Sequence, residues 1–163
     1  LLADALHANK TLTDVELMHA ELGSATATFA LALGGEDRKL TRLLLHCNHG
    51  GDAAGVAFGS ALVSQHSLTF LDLSTASTSD GKIGQEGAIM FARGLAKNST
   101  LKTLSFHHNL IGSRGANALA EALSENTSLT QLDLHGDETL TEASRAVLKA
   151  VCAARQVPLH LNF

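Results

Sequence analysis

The chain has 163 residues, of which 45% are hydrophobic, so it can bury a core and is not a disordered tail. Its net charge is −4 and its 12 basic residues form no cluster, which excludes nucleic acid as the main partner because phosphate binding needs concentrated lysine and arginine. No run of about 18 apolar residues occurs, so we expect neither a membrane span nor a membrane partner.

The first segment, residues 1–10, reads as the end of a helix whose own strand is missing. Leu2, Leu6 and Asn9 match the ends of the helices that come later in the chain. The chain is therefore expected to begin in mid-repeat, as part of a longer array. Because the leucines of this helix would lack half of their packing, we expect further repeats or a partner to cover the N-terminal end.

An internal repeat follows this helix. Each unit begins with a leucine, and further apolar residues stand at positions 4 and 6, which is the period of a strand with one buried face. The five units begin at Leu12, Leu40, Leu68, Leu101 and Leu129. We predict parallel strands over residues 12–17, 40–45, 68–73, 101–106 and 129–134, and a sixth strand near 159–161.

Each strand is expected to lead through a turn into a helix. Four of the five units have glycine at position 12, which suits a tight backbone turn. Further turns are expected at residues 35–36 and 50–51. One longer unit has a polar insertion at residues 74–82. Apolar pairs four residues apart, such as Leu119 and Leu123, then share a helix face. The expected helix N-caps are Ser24, Asp52, Ser113 and Thr141. The expected left-handed caps at the helix ends are Asn9, Asn98 and Asn126.

Residues 101–123 carry this pattern most fully, with Leu101, Leu104, Phe106, Asn109 and Gly112 in register. The repeats resemble the ribonuclease-inhibitor-like class of leucine-rich repeats, which includes the ribonuclease inhibitor, the activators of the Ran GTPase and the sensor domains of NOD-like receptors. The resemblance covers essentially the whole chain. It implies one α/β domain over residues 1–163, a leucine-rich-repeat solenoid shaped as a horseshoe, with a parallel concave sheet and convex helices.

Strand positions 3, 5 and 7 are expected to face away from the core, onto the concave surface, and position 8 follows at the end of the strand. One column of this surface is acidic and the next is rich in histidine. We expect the surface to bind a partner protein, with Phe70 and Leu44 as an apolar anchor and the acidic column selecting basic groups. The candidate contact residues are Glu16, Leu44, His46, Phe70, Asp72, His107, His108, Asp133 and His135.

A metal site is a second hypothesis for the histidines. His107 and His135 occupy one column of adjacent strands, so their side chains could approach within about 5 Å, and Asp133 lies on the same face. No H-x-x-x-H or C-x-x-C spacing occurs, so we expect no metal and no cofactor. An exposed column that happens to use histidine is the simpler interpretation, and its charge would still change between about pH 5 and 8.

Catalytic signatures are missing from the sequence. It contains no glycine-rich phosphate loop, nucleophile elbow or metal-hydrolase motif, so the chain is not expected to be an enzyme. Cys47 is expected to be an exposed thiol near His19 that has no functional role. The expected function is an interaction scaffold within a larger assembly. Two alternatives stay open: a GTPase-activating fragment resembling the Ran activators, and the ligand-sensing repeat domain of a NOD-like receptor.

Two features favour a cytoplasmic location. The first residues lack the basic region, apolar stretch and cleavage site of a signal peptide. Cys47 and Cys152 are the only cysteines, and two distant cysteines do not make a disulfide framework, which fits a reducing compartment.

Overall fold

The computed structural model describes residues 2–33, 39–77 and 80–163. The expected turn at residues 35–36, Leu1 of the first helix and residues 78–79 of the insertion lie outside these ranges. The described residues form an α/β fold with a parallel sheet of six strands and six α-helices. The helices are α1 Leu2–Ala8, α2 Thr26–Ala32, α3 Gly51–Leu62, α4 Gln85–Lys97, α5 Gly112–Glu125 and α6 Glu142–Ala154, and a 3-10 turn spans Gly23–Ala25. The strands are β1 Asp14–Glu16, β2 Arg42–Leu44, β3 Phe70–Asp72, β4 Thr103–Ser105, β5 Gln131–Asp133 and β6 His160–Asn162.

The strands lie side by side in chain order, and every neighbouring pair is parallel. Equivalent residues of successive units are direct partners, so that Leu71 pairs with Leu43 on one side and with Leu104 on the other. The six predicted parallel strands are therefore confirmed, although each regular strand has only three residues. A helix follows each of the first five strands, as expected.

The core lies between the sheet and the helices. The leucines at strand position 4 of the middle units, Leu43, Leu71, Leu104 and Leu132, are each 0% exposed. Aromatic rings fill the space behind them, and Phe91 of α4 meets Phe106 edge to face at 4.7 Å between ring centroids. The alternation in the sequence thus marks the buried side of every strand correctly.

Helices α3 and α4 approach closely because glycines face each other. A Cβ atom placed on Gly55 would lie 2.7 Å from the carbonyl oxygen of Gly87, and one on Gly94 would lie 2.6 Å from the carbonyl carbon of Gly59. These separations are shorter than any real Cβ contact. The small residues therefore set the distance at which successive units stack.

Asparagines satisfy the backbone where units join. Buried Asn48 and Asn109 follow their strands and bond the backbone turns of their own and the preceding unit. The left-handed caps expected at the helix ends are wrong. Asn98 and Asn126 have extended backbones with φ of −81° and −73°, and Asn9 is not among the described residues with a positive φ. Their side chains, rather than a backbone reversal, accept the N–H groups of the following turn.

Three of the four expected N-caps are also wrong, because the helical turns begin at the preceding glycine and Ser24, Asp52 and Ser113 lie inside them. Thr141 does cap α6 and accepts a hydrogen bond from Ser144 N–H at 3.2 Å. Asp52 instead caps the neighbouring helix α4, since its carboxylate accepts the N–H groups of Gly84 and Gly87 at 2.7 and 3.0 Å. The capping carboxylate therefore acts between units.

The first unit is less covered than the others. Leu12 is 45% exposed, whereas its counterparts in the later units are at most 4% exposed. Leu6 is buried, but Leu2 of α1 and Leu31 of α2 are exposed, and these two helices are in contact with each other. Exposed apolar surface at the N-terminal unit agrees with the expectation from the sequence, and its covering by further repeats or a partner stays a prediction.

None of the helices in the described part of the chain combines the length and the apolar character that crossing a membrane requires.

Candidate functional site

The face of the sheet opposite the helices carries the side chains at strand positions 3, 5 and 7, and we call it the open sheet face. Its six parallel strands bring equivalent side chains into columns that run across the units. The residues of this face in the first five units are Asp14, Glu16, Met18, Arg42, Leu44, His46, Phe70, Asp72, Ser74, Thr103, Ser105, His107, Gln131, Asp133 and His135. All nine residues expected at the contact surface lie on this face except His108, which follows it at the end of β4.

The two apolar candidates lie on neighbouring strands. Leu44 and Phe70 are both half-buried, and the register pairs Leu44 with Asp72 and Phe70 with Arg42. The guanidinium of Arg42 lies 4.4 Å from the centre of the Phe70 ring, in a cation–π contact. Arg42 also forms an ion pair with Asp14 at 3.1 Å. Arg42 is not among the contact residues expected from the sequence, although its place in the column of Phe70 was a visible signal.

The ion pair between Arg42 and Asp14 does not stabilise the fold much. Both side chains are about half exposed, at 48% and 58%, and exposed pairs contribute at most about 1 kcal/mol. Both charges consequently stay accessible beside Phe70.

Two aspartates of the acidic column accept hydrogen bonds within the molecule. One carboxylate oxygen of Asp72 accepts the N–H of Ser74 at 2.9 Å, and Asp133 accepts the N–H of His135 at the same distance. Asp133 also accepts a hydrogen bond from the side chain of Asn162 at 3.1 Å. These local bonds fix the orientation of both carboxylates on the open sheet face, while Glu16 is exposed on β1.

Three histidines gather at the ends of β4 and β5. The rings of His107 and His135 stack with 5.2 Å between their centroids, close to the separation expected from the sequence. The ring centroid of His108 lies 4.1 Å from that of His107. His108 has a left-handed backbone with φ of 55°, and its Nδ1 lies 3.2 Å from the carbonyl oxygen of Gly136. Stacked rings point their nitrogen lone pairs along parallel planes, so the pair of His107 and His135 is poorly arranged to bind one metal ion together.

The pKa of His107 is lowered from its ordinary value of 6.5, first because partial burial disfavours the charged imidazolium and second because His108 repels it. Asp133 opposes this by raising the pKa, and His135 and His46 lower it further. The unfolded chain therefore takes up a proton on this side chain at a higher pH than the folded chain does. Stability from the neutral imidazole is fully present above about pH 6.5 and is lost as the pH falls through the lowered pKa.

We therefore expect the denaturation midpoint to fall on acidification below about pH 6.5, and we expect His107→Gln to reduce that fall. Urea titrations at a series of pH values measure the effect. His160→Gln, which removes an exposed histidine on β6, serves as the matched control for the loss of a histidine. Coinciding profiles of His107→Gln and the unaltered chain would contradict the assignment.

Cys47 is not the exposed thiol that the sequence predicts, because it is only 2% exposed. It does lie near His19, as expected, and both belong to a group with His46 in which one ligand atom of each residue lies within 4.8 Å of the others. The sulfur of Cys47 lies 3.1 Å from Nε2 of His46. The signal for this group was the occurrence of His19 and Cys47 at the same position of successive units.

A groove lies on the helix side of the molecule, between α3, α4 and α5. This groove has a volume of about 500 Å³, and its walls include Val63, Met90 and Arg93. Its lining combines small, apolar and charged residues, and it holds none of the residues expected at the contact surface.

No family model matches the chain, and no curated protein matches it. Among solved structures, the chain is similar to one titled leiomodin-1 actin-binding site 2, with a TM-score of 0.74 and 21% identity over 93% of this chain and 85% of that chain. It is also similar to the tropomodulin C-terminal domain of Caenorhabditis elegans, with a TM-score of 0.69 and 11% identity over 91% of this chain and 87% of that chain.

These neighbours correct the family expected from the sequence. The assignment to the ribonuclease-inhibitor-like class of leucine-rich repeats is wrong, since the similar structures are leiomodin and tropomodulin domains. The reason is that apolar spacing specifies a strand, a turn and a helix, and this unit by itself does not distinguish one family of stacked units from another. The comparisons likewise give no support to a Ran GTPase activator or a NOD-like receptor. At these identities they show that the chain shares the fold of the two domains.

Proposed function

We propose that the chain is a protein-binding module that contacts its partner through the open sheet face, and that it is not an enzyme. The observation that carries the proposal is the pair of half-buried apolar side chains, Leu44 and Phe70, on neighbouring strands with charged Arg42 and Asp72 as their register partners. Protein interfaces commonly place a few aromatic or aliphatic anchors within a polar rim. Arg42 adds a planar cation that is already held over Phe70.

The partner that we propose is actin. The choice is supported by the shared fold with the domain titled leiomodin-1 actin-binding site 2, which covers 93% of this chain. The proposal includes a bend of the stacked units into a horseshoe solenoid, which would make the open sheet face concave and let it surround a convex part of the partner. It also includes a cytoplasmic location, which is compatible with Cys47 and Cys152 forming no disulfide.

The test is a binding titration of the purified chain against purified actin, with Phe70→Ala as the main variant. An aromatic anchor at the centre of an interface contributes at least about 2 kcal/mol, so we expect the dissociation constant to rise by roughly 30-fold or more. Leu44→Ala is expected to weaken binding in the same direction. Circular dichroism of both variants verifies that they are folded.

Val63→Ala is the matched control, since Val63 is 47% exposed and lies in the groove on the helix side. It should bind as the unaltered chain does. If Phe70→Ala binds actin with unchanged affinity while folded, the open sheet face is not the contact surface. If the unaltered chain does not bind actin at all, actin is the wrong partner.

A further inference from the structure

Three side chains with metal-binding atoms converge where β1 and β2 end. His19 follows β1, while His46 and Cys47 follow β2, and their ligand atoms lie within 4.8 Å of one another. The two segments are joined there by the backbone, because the N–H of His19 donates to the carbonyl oxygen of His46 at 3.0 Å. The group therefore spans the boundary between the first two units of the stack.

The backbone at the strand ends brings these side chains together. Along a regular strand, neighbouring side chains point to opposite faces, so His46 and Cys47 would not meet. Cys47 has a left-handed backbone with φ of 57°, which breaks the alternation, and His19 has the same conformation with φ of 52°. His108 shows that this conformation recurs at the strand ends of the fold. What distinguishes the first two units is the combination of a thiol and imidazoles at that position.

The hydrogen bonds of His46 orient it as a metal ligand. Its Nδ1 lies 2.7 Å from the hydroxyl oxygen of Ser74, and that hydroxyl donates its own hydrogen to the carboxylate of Asp72. Ser74 must therefore accept from His46, which places the proton of the neutral imidazole on Nδ1. Nε2 then presents its lone pair toward Cys47. Metal-binding histidines are typically held in this way, through their other ring nitrogen, by a hydroxyl, carbonyl or carboxylate partner.

We propose that His19, His46 and Cys47 form a Zn²⁺ site that links the first two units. Two imidazole nitrogens and one thiolate are donors that zinc prefers, and binding releases the thiol proton of Cys47 to solvent. The usual bond lengths place the ligand atoms of tetrahedral zinc about 3.4–3.6 Å apart, so small rotations suffice, and His19 is exposed and has room to turn inward. One tetrahedral position is left for water.

The position of the site gives it a structural consequence. The first unit is the least buried one, with Leu12 and Met18 both more than 40% exposed. A metal bound by His19 from one unit and by His46 and Cys47 from the next would fasten this exposed unit to the rest of the sheet. Within the described residues, no second group of three histidine, cysteine, aspartate or glutamate side chains converges in this way.

The experiment uses the whole purified chain with Zn²⁺ and with Co²⁺ as a spectroscopic substitute. We expect one Zn²⁺ per chain by calorimetry, and a thiolate-to-cobalt charge-transfer band that Zn²⁺ abolishes on addition. Cys47→Ser should remove the band, and His19→Ala should weaken the affinity although it alters only an exposed side chain. Ser74→Ala should weaken the affinity by about 10–100-fold while the band keeps its shape, because it removes only the support of His46.

The matched controls are Cys152→Ser, which removes the other thiol, and His135→Ala, which alters the stacked histidine pair instead. Both should bind Zn²⁺ as the unaltered chain does. In hydrogen exchange, Zn²⁺ should slow the amides of residues 14–19 in the unaltered chain and leave them unchanged in His19→Ala. Unchanged affinity in both Cys47→Ser and His19→Ala, or a cobalt complex without the thiolate band, would overturn the proposal. The result is independent of whether the chain binds actin.

Discussion

Replacing Leu104 by alanine is expected to lower the free energy of unfolding by about 2–5 kcal/mol, whereas Ser105→Ala should change it little. Leu104 is 0% exposed, and the register places it directly between Leu71 and Leu132. Truncation at this position removes apolar contacts to both neighbouring units and leaves a cavity that a close-packed interior fills only in part. The loss should appear as a lower denaturant midpoint.

Ser105 is the matched control because it is the next residue of the same strand and lies on the open sheet face. Both variants keep the strand and its hydrogen bonds, so their difference isolates the buried side of β4. Urea unfolding followed by circular dichroism gives the two midpoints. Equal midpoints would mean that the two faces of the strand have been assigned wrongly.

Asn98→Ala is expected to destabilise the chain by roughly 3 kcal/mol or more, because it removes a side chain that serves four buried or half-buried backbone groups. The amide of Asn98 donates to the carbonyl oxygens of Leu62 and Gln65 at 2.9 and 3.0 Å. Its oxygen accepts the N–H groups of Thr100 and Leu101 at 3.1 and 2.8 Å. Each buried group left without a partner costs about 1–3 kcal/mol.

Asn9→Ala is the control, since Asn9 makes the same turn after α1 and accepts the N–H groups of Thr11 and Leu12 at 2.9 and 2.8 Å. Asn9 is exposed, so water can replace its side chain, whereas Asn98 is only 4% exposed. Thermal and urea unfolding of the two variants provides the comparison. If both substitutions cost the same, burial is not what makes these asparagines important.

The last helix meets the same backbone requirement with a different residue. Arg155 donates through its guanidinium to the carbonyl oxygens of Leu123, Asn126 and Leu129. Burial lowers the pKa of Arg155, and Cys152 acts in the opposite direction. A positive side chain can therefore replace the asparagine because the carbonyl groups of the preceding unit need only donors.

The strand, turn and helix of each unit, the parallel order of the strands and the buried side of each strand could all be predicted from the apolar repeat. Leu43, Leu71, Leu104 and Leu132 recur with fixed spacing, and burial of one strand face follows directly from that spacing. Each unit also starts its strand with the same apolar spacing, so equivalent residues of successive strands lie side by side, which is why the columns of the open sheet face could be predicted. The family could not be predicted, because the spacing specifies the fold of one unit and does not distinguish the families of proteins in which such units are stacked.

The places where side chains from different units meet became visible in the folded chain and could not be predicted from the repeat. The burial of Cys47 and its approach to His19 and His46 depend on left-handed backbones at the strand ends, a conformation that side-chain periodicity does not report. The cation–π contact of Arg42 with Phe70 likewise joins residues 28 positions apart. Local spacing fixes which face of a strand is buried, whereas hydrogen bonds and packing between stacked units fix the conformations and partners at their boundaries.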